Sequence, residues 1–279
     1  MIITRLRVHR PNGCVHPGGE QSLWRSKIHS TKDILVLYCY NSPMNSRQAK
    51  LLQAIIDQFI QTALPVGSKK LLESAEFSVS SATIRNEMMF LEEEGYLEQP
   101  HISAGRIPTV KGYRTYVQEF MQPTDYQKAV RTKFDTLKEQ YFQEKDRERV
   151  YEAVALLSHM IQNVSFATVP HRSEIYYLGL AHAMRQPEFL ADPRFVSGVV
   201  EVLEEKLSAL LSRVEIDGKI RYYIGQKDLC SEFTSCSLMV TEYRVRDQRG
   251  VIGILGPVRM DYGYNTVALD MVADMVRHG

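Results

Sequence analysis

The sequence contains no apolar run that approaches the roughly 18 residues needed to span a lipid bilayer. Its most apolar segment, Ile34 to Tyr40, is much too short, and no small-residue cleavage site follows it. The four cysteines form no Cys-x-x-Cys pair and no zinc-finger spacing, which favours free thiols in a reducing compartment. We therefore expect a cytoplasmic protein that binds neither a membrane nor a metal ion.

The motifs of catalysis and of nucleotide binding are missing as well. The sequence has no G-x-x-x-x-G-K-[ST], G-x-G-x-x-G, H-E-x-x-H, S-x-x-K or G-x-S-x-G motif. The histidines His159, His171, His182 and His278 stand alone, without a partner at catalytic spacing. We predict no enzymatic activity and no cofactor.

An excess of one charge sign is also lacking. The formal net charge is +1, so no overall field attracts nucleic acid, and any basic surface must be local. With 44% hydrophobic and 24% charged residues, the composition is that of a globular protein, and the length of 279 residues predicts two domains.

Residues 1–43 differ from the rest, because they contain Gly-Gly, several prolines and no sustained period of 3.6 or 2. We predict that they are a disordered extension or the product of a misassigned start codon, since Met44 opens a strongly patterned segment. Mass spectrometry of the native amino terminus would distinguish these two interpretations.

Residues 44–121 carry three helical patterns and then a hairpin pattern. Apolar residues from Leu51 to Ile60 recur at three- and four-residue steps behind the cap candidates Asn45 and Ser46. Further helices are predicted over residues 69–74 and from the turn at 78–81 to Gly95, and short strands over 96–99 and 107–109. Three helices and a small hairpin predict a winged helix-turn-helix domain.

The third helix has two distinct faces. Ile84, Met88 and Leu91 share one face at 100° per residue, and Ala82, Asn86, Met89 and Glu93 project from the opposite one. We expect the first set to be core and the second to be exposed.

The rest of the chain predicts an α+β fold with an antiparallel sheet. Residues 122–163 are predicted to be a helical linker and a candidate dimerisation region, and residues 164–279 an α+β domain. A hairpin is predicted at Asp217-Gly218 and a second antiparallel pair over residues 237–245 and 251–255, before a last helix over 266–277.

Several blocks of sequence resemble one protein family. They are Pro65-Val66-Gly67-Ser68-Lys69, Ser81 to Met88, Leu91-Glu92, Gly95-Tyr96-Leu97, Ser103 to Thr109, Lys111-Gly112-Tyr113-Arg114, Gln186 to Phe189, Cys236-Ser237-Leu238 and Gly253 to Tyr262. Together they resemble HrcA, a family of bacterial heat-inducible transcription repressors, over most of residues 44–279.

The resemblance implies a winged-helix homodimer that binds a double-stranded inverted-repeat operator of chaperone operons. It also implies a carboxy-terminal GAF-like domain and control by a GroEL-type chaperonin. One departure is large: family members place more of the GAF-like sheet and a helical dimerisation segment before the Tyr176–Gly179 element, where only Pro170 to Ile175 stand here. The C-terminal domain is therefore expected to be truncated, and the family's dimerisation mode is not carried over.

Eight basic and nine acidic side chains fall within residues 44–121, so DNA binding must depend on placement rather than on total charge. Because the start of a recognition helix lies nearest the base edges, Asn86 is the best candidate base reader. Arg85 is assigned to phosphate or guanine, and Arg106 to a minor groove or phosphate. The complete set of predicted DNA-binding residues is Lys69, Lys70, Ser81, Ala82, Thr83, Arg85, Asn86, Ser103, Arg106 and Arg114.

Two other functions fit the same pattern. A winged-helix regulator could sense a small ligand through its C-terminal domain, in which case a metabolite would change operator affinity. A winged helix can also be a protein-protein interaction module, for which DNA binding would be weak. Without the family motif, Asn86 and the lysines would be ordinary solvated side chains.

Overall fold

In a computed structural model, the protein is described over residues 44–73, 77, 79–141, 149–170, 174–226, 234–245 and 248–278. The predictions for residues 1–43 lie outside these ranges. Residues from Asn45 onward form one compact unit, in which helices combine with an antiparallel sheet, as the sequence predicts.

The amino-terminal part consists of helices and a two-stranded sheet. Its elements are α1 (Ser46–Thr62), α2 (Ser68–Glu73), α3 (Ser81–Glu93), β1 (Leu97–Glu98), β2 (Ile107–Pro108) and α4 (Val110–Thr115), which continues as a π-helical turn over Tyr116–Phe120. The side chain of Asn45 accepts hydrogen bonds from the backbone N–H groups of Arg47 and Gln48, so α1 begins where the sequence predicts.

The apolar stripes of α1 and α3 form the core of this part. Leu51, Leu52, Ile55 and Ile56 of α1 are fully buried. The predicted inner face of α3 is buried too, since Ile84, Met88 and Leu91 are at most 4% exposed. The two helices contact each other, and this contact fixes which side of α3 remains outside.

The remaining part is larger. After a 3-10 turn (Pro123–Tyr126) come α5 (Gln127–Tyr141), α6 (Arg149–Met160), β3 (Val164–Thr168), β4 (Ile175–Leu178), α7 (Leu180–Ala183), α8 (Pro187–Ala191), α9 (Pro193–Glu201) with a π-helical turn (Val202–Lys206), α10 (Leu207–Leu211), β5 (Arg221–Ile224), β6 (Cys236–Val245), β7 (Gln248–Pro257) and α11 (Tyr262–His278).

Five of these strands form one antiparallel sheet in the order β4-β3-β7-β6-β5. The long pair β6 and β7 runs in register from Cys236 opposite Pro257 to Val245 opposite Gln248, which confirms the predicted second hairpin. Val169 donates its N–H to the carbonyl of Glu174, next to the β3–β4 pairing. β3 and β4 are thus paired on the two sides of the short connection at which the resemblance predicts a missing segment.

Helices cover both faces of the sheet. Phe166, Leu238, Val240 and Leu255 belong to a buried cluster with apolar residues of α8, α9 and α10. On the other side α6 contacts β3 and β4, and α11 contacts β6 and β7. Because both faces are covered, β6 is buried at eight consecutive positions instead of alternating.

The hairpin predicted at Asp217-Gly218 is wrong. Residues 214–216 form no strand, and β5 pairs with β6 instead, with Arg221 opposite Val240. Val214 is buried in the apolar cluster that covers the sheet. Gly218 does adopt a turn conformation with φ +80°, and the Arg221 guanidinium pairs with the Asp217 carboxylate across it. The turn at Asp217-Gly218 therefore exists, but the segment before it packs in the core and does not pair as a strand.

Residues 122–163 contain α5 and α6, which pack on each other and on the elements of residues 164–278. Val130 and Phe134 of α5 are buried, and α5 contacts both α6 and α11. Val154 and Leu157 of α6 are completely buried, so the apolar stripe predicted over 126–161 is largely used inside the chain. The role of this region in dimerisation stays a prediction.

Two arginines join the amino-terminal part to the sheet domain. The guanidinium of Arg114 in α4 donates to the carbonyls of Ile224 and Gly225 at the end of β5, with N···O distances of 2.6 to 3.2 Å. In the other direction Arg259 donates to the carbonyl of Ile60 near the end of α1. The two parts are therefore held in one fixed arrangement.

Leu238→Ala should destabilise the protein by about 2 to 5 kcal/mol, because it removes a fully buried side chain from the middle of the sheet. Leu190→Ala is the matched control, since Leu190 is 73% exposed, and should change the free energy of unfolding by no more than about 0.5 kcal/mol. Urea unfolding followed by circular dichroism measures both. Equal losses would show that this face of the sheet is not the core.

Candidate nucleic-acid interface

The amino-terminal half of α3 presents an exposed polar face. Ser80 caps the helix, because its Oγ accepts the backbone N–H of Thr83 at 3.1 Å. Ala82, Arg85 and Asn86 are exposed, while Ser81 and Thr83 are half-buried at the helix start. Met89 and Glu93 are exposed as well, so the predicted outer face of α3 is confirmed as a surface.

Helix α2 lies next to this face. Its Ser68 Oγ is 3.3 Å from the Oγ of Ser81, so a hydrogen bond joins the starts of α2 and α3. Lys69 and Lys70 follow Ser68 directly, and both are exposed. The structure therefore brings two of the predicted basic residues to the α2 end adjoining the start of α3.

The acidic side chain of Glu87, near this surface, is neutralised within the fold, whereas Glu93 is exposed. Glu87 of α3 is buried and pairs with the guanidinium of Arg47 from α1. Arg85 has no acidic partner among the residues that the structure describes. The near balance of basic and acidic residues in the sequence thus conceals a surface on which Lys69, Lys70 and Arg85 carry unpaired positive charge.

The hairpin after α3 is short and attached to the preceding loop. β1 and β2 pair with Leu97 opposite Pro108, and Val66 and Arg106 exchange two backbone hydrogen bonds of 2.9 Å. Gly105 is required there, because a Cβ atom would lie 2.4 Å from the carbonyl oxygen of Val66. At the tip, Ser103 is exposed and adopts φ +70°, a conformation uncommon outside glycine.

Arg106 does not reach outward, contrary to the expectation from sequence. Its Nε and Nη2 atoms both lie 2.8 Å from Oε2 of Glu92, and its side chain is only 15% exposed. Glu92 belongs to α3, so this ion pair fixes the base of the hairpin to the helix. In this arrangement Arg106 orients the hairpin, and its predicted contact with a groove or phosphate stays a prediction.

Arg114 makes contacts within the fold and not at an exposed surface. Its guanidinium is used by the carbonyls of Ile224 and Gly225, where it joins α4 to β5. A phosphate contact would require breaking these hydrogen bonds. The neighbouring Tyr113 is buried, and its ring centre lies 5.9 Å from that of Tyr262, so it packs in the core as expected.

One exposed residue at the hairpin tip was not predicted from the sequence. Ile102 is 93% exposed, the highest value for a large apolar side chain in the described ranges. A single apolar residue among His101, Ser103 and Ala104 gives no periodic signal, so only its place at a hairpin tip could have indicated a role.

Asp261 and Arg259, at the start of the last helix, make contacts within the fold. The side chain of Asp261 accepts the backbone N–H of Tyr264 at 3.0 Å, at the beginning of α11. Arg259 pairs with Glu188, not with Asp261. Over the described ranges, no three His, Cys, Asp or Glu side chains are grouped to hold a metal ion. None of the described helices is long and apolar enough to cross a bilayer.

Comparisons with known proteins identify the family of the chain. The family profile described as "HrcA protein C terminal domain" matches residues 115–264. The chain is 26% identical to the heat-inducible transcription repressor HrcA of Brevibacillus brevis over 330 aligned positions, which cover 83% of this chain and 96% of the relative. The repressor of Symbiobacterium thermophilum is 28% identical over 333 positions, with 82% and 97% covered.

Those alignments are longer than the part of this chain that they use, so long stretches of both relatives have no counterpart here. A shorter match has a higher sequence identity: the HrcA of Mycoplasma capricolum is 54% identical over 79 residues, which cover 28% of this chain and 23% of that one. The chain is thus a shortened relative of these repressors.

One solved structure shares the fold. The crystal structure of a hypothetical protein superimposes with a TM-score of 0.67 at 17% identity, and the match covers 84% of this chain and 97% of the other. Since the family profile matches more than half of the 279 residues, the chain belongs to the HrcA family of heat-inducible transcription repressors.

Proposed function

We propose that residues 44–121 form a winged helix-turn-helix domain with which this repressor binds an inverted-repeat operator of chaperone genes. The observation that carries the proposal is the exposed start of α3, where Ala82, Arg85 and Asn86 stand outside the core next to Lys69 and Lys70. An α-helix presented in this way fits the major groove of B-DNA with its first turns against the base edges.

Asn86 is proposed as the residue that reads a base. Its side chain is exposed, and an asparagine amide makes two hydrogen bonds to the major-groove edge of adenine. Ala82 lies one turn earlier on the same face and is small enough for close approach or contact with a thymine methyl group. Ser81 and Thr83, half-buried at the helix start, are proposed to contact the adjoining phosphate or base.

Lys69 and Lys70 are proposed to bind phosphate, since the helix before the recognition helix crosses the DNA backbone in this motif. Arg85, which has no acidic partner in the described chain, is placed on phosphate or guanine. The hairpin is proposed as the wing. Its tip brings Ser103 to the sugar-phosphate chain, and Ile102 provides an apolar contact with a minor groove.

A second copy of the chain completes the proposed complex, because a two-fold symmetric operator is matched by a two-fold symmetric protein. The sheet domain is proposed as the truncated GAF-like domain of the family.

Modulation by a GroEL-type chaperonin belongs to the same proposal and follows from family membership. A gel-shift titration with and without chaperonin tests it, and unchanged affinity would oppose this part.

Asn86→Ala should weaken operator binding by about 1 to 3 kcal/mol and leave binding to random DNA unchanged, because base contacts add affinity only on the specific sequence. The measurement is a gel-shift titration on the inverted repeat and on scrambled DNA. Thr136→Ala, an exposed change on α5, is the control and should have no effect. A wild-type protein without preference for the repeat would refute the proposed function.

The double variant Lys69→Ala, Lys70→Ala should bind operator and random DNA more weakly by a similar factor. The slope of log affinity against log salt should fall by about 1 for each phosphate that is no longer neutralised. Fluorescence anisotropy over a salt series measures this slope. Lys128→Ala removes an exposed charge from α5 and should leave the slope as it is. An unchanged slope in the double variant would exclude these lysines.

Glu92→Gln distinguishes the two roles of Arg106. If Arg106 orients the wing through Glu92, the variant should bind the operator more weakly although it removes a negative charge. If Arg106 instead contacts DNA, its release from Glu92 should strengthen binding. We expect both Glu92→Gln and Arg106→Ala to bind the operator more weakly, and by a similar factor. Tighter operator binding by Glu92→Gln in the same anisotropy assay would contradict this expectation.

A further inference from the structure

A cavity lies where the DNA-binding part meets the sheet domain. Its volume is about 480 Å³, within the range of small-molecule sites. One wall is the end of α1, from Ile60 to Ala63, and the others come from α5, the end of α6, the α7–α8 region and Arg259. No motif in the sequence indicates this cavity, because its walls are far apart along the chain.

The charged lining of this cavity is basic. Lys133 and Arg185 contribute side chains, His159 and His182 add two imidazole rings with centres 6.0 Å apart, and no Asp or Glu is among the lining residues. Lys133 donates one hydrogen bond, of 2.7 Å, to the carbonyl of Met160. Since an ammonium group has three N–H donors, it retains capacity for a ligand.

Neither Lys133 nor Arg185 is paired with a carboxylate among the described residues. Arg259 is different, because Glu188 neutralises it and the carbonyl of Ile60 accepts another of its hydrogen bonds. The cavity therefore contains two cations without a counter-ion, beside a third that holds α1 in place.

Neutral hydrogen-bonding groups complete the lining. Gln61 and Gln162 contribute side-chain amides. The hydroxyl of Thr62 donates to the carbonyl of Gln58, whereas the amide of Gln186 donates one N–H to the carbonyl of Gln162 and keeps its second for a ligand. Such donors around two separated cations suit a ligand with several negatively charged oxygens, since phosphate groups accept hydrogen bonds from ammonium, guanidinium and amide groups together. A neutral or cationic ligand would leave the two charges unpaired.

We propose that this cavity binds a small, multiply charged anion of the phosphate class, held by Lys133 and Arg185. The anion contacts the end of α1 as well as the sheet domain, so it stabilises their arrangement. Any effect of the anion on the affinity for the operator rests on the proposed function, whereas the binding of the anion to the cavity does not.

Thermal unfolding with pyrophosphate as the probe tests the site. In wild-type protein, pyrophosphate at about ten times its dissociation constant should raise Tm by about 3 °C over sodium chloride at the same ionic strength. In Lys133→Ala, Arg185→Ala the rise should disappear. If that variant does not fold in sodium chloride, Arg185→Gln, a milder single change, should reduce the rise in its place.

Two further variants separate this site from other basic surfaces. Lys128→Ala removes a charge from the same helix outside the cavity and should retain the full rise in Tm. Lys69→Ala, Lys70→Ala should retain it too, because those lysines belong to the proposed DNA surface. No rise in wild type, or an equal rise in the cavity variants, overturns the proposal. A chain that fails to bind operator but shows the specific rise refutes only the proposed function.

Discussion

The packing of α3 on α1 is the interaction on which the exposed face of α3, the proposed DNA surface, depends. The apolar stripe of Ile84, Met88 and Leu91 is covered by α1, and burying it leaves a single rotation of α3 about its own axis. Asn86 and Ala82 are outside because that rotation puts them there. A helix with apolar residues on two sides would not select one face in this way.

Electrostatics refines what packing establishes. The proposed DNA surface does not need an excess of basic residues in the sequence, because Glu87 and Glu92 each form an ion pair with an arginine from another element. Those pairs also serve as attachments, one between α3 and α1 and the other between α3 and the hairpin. Lys69, Lys70 and Arg85 are exposed and have no such partner among the described residues, so their charges are not neutralised within the fold.

Much of the fold could be predicted from sequence where the pattern is local. The start of α1 at Asn45, the two faces of α3 and the β6–β7 pair all follow from caps and periodicity. The hairpin at Asp217-Gly218 failed, because β5 takes its partner from β6 and a turn signal says nothing about a distant strand. Local patterns also do not show that Arg106 pairs with Glu92 or that Arg114 donates to the carbonyl of Ile224, 110 positions away. Ile102 and the basic cavity gave no sequence signal, since each is defined by exposure or by assembly from separate segments.

The junction of β3 and β4 shows how such a family can change length. Val169 and Glu174 are hydrogen-bonded at the point where the chain leaves one strand and enters the next. Because the two ends are adjacent, a whole segment can be inserted or removed there without rerouting the strands, and lengthening a connection costs folding free energy only slowly. The length of the chain between these two strands can therefore change without any change in the packing of α3 on α1.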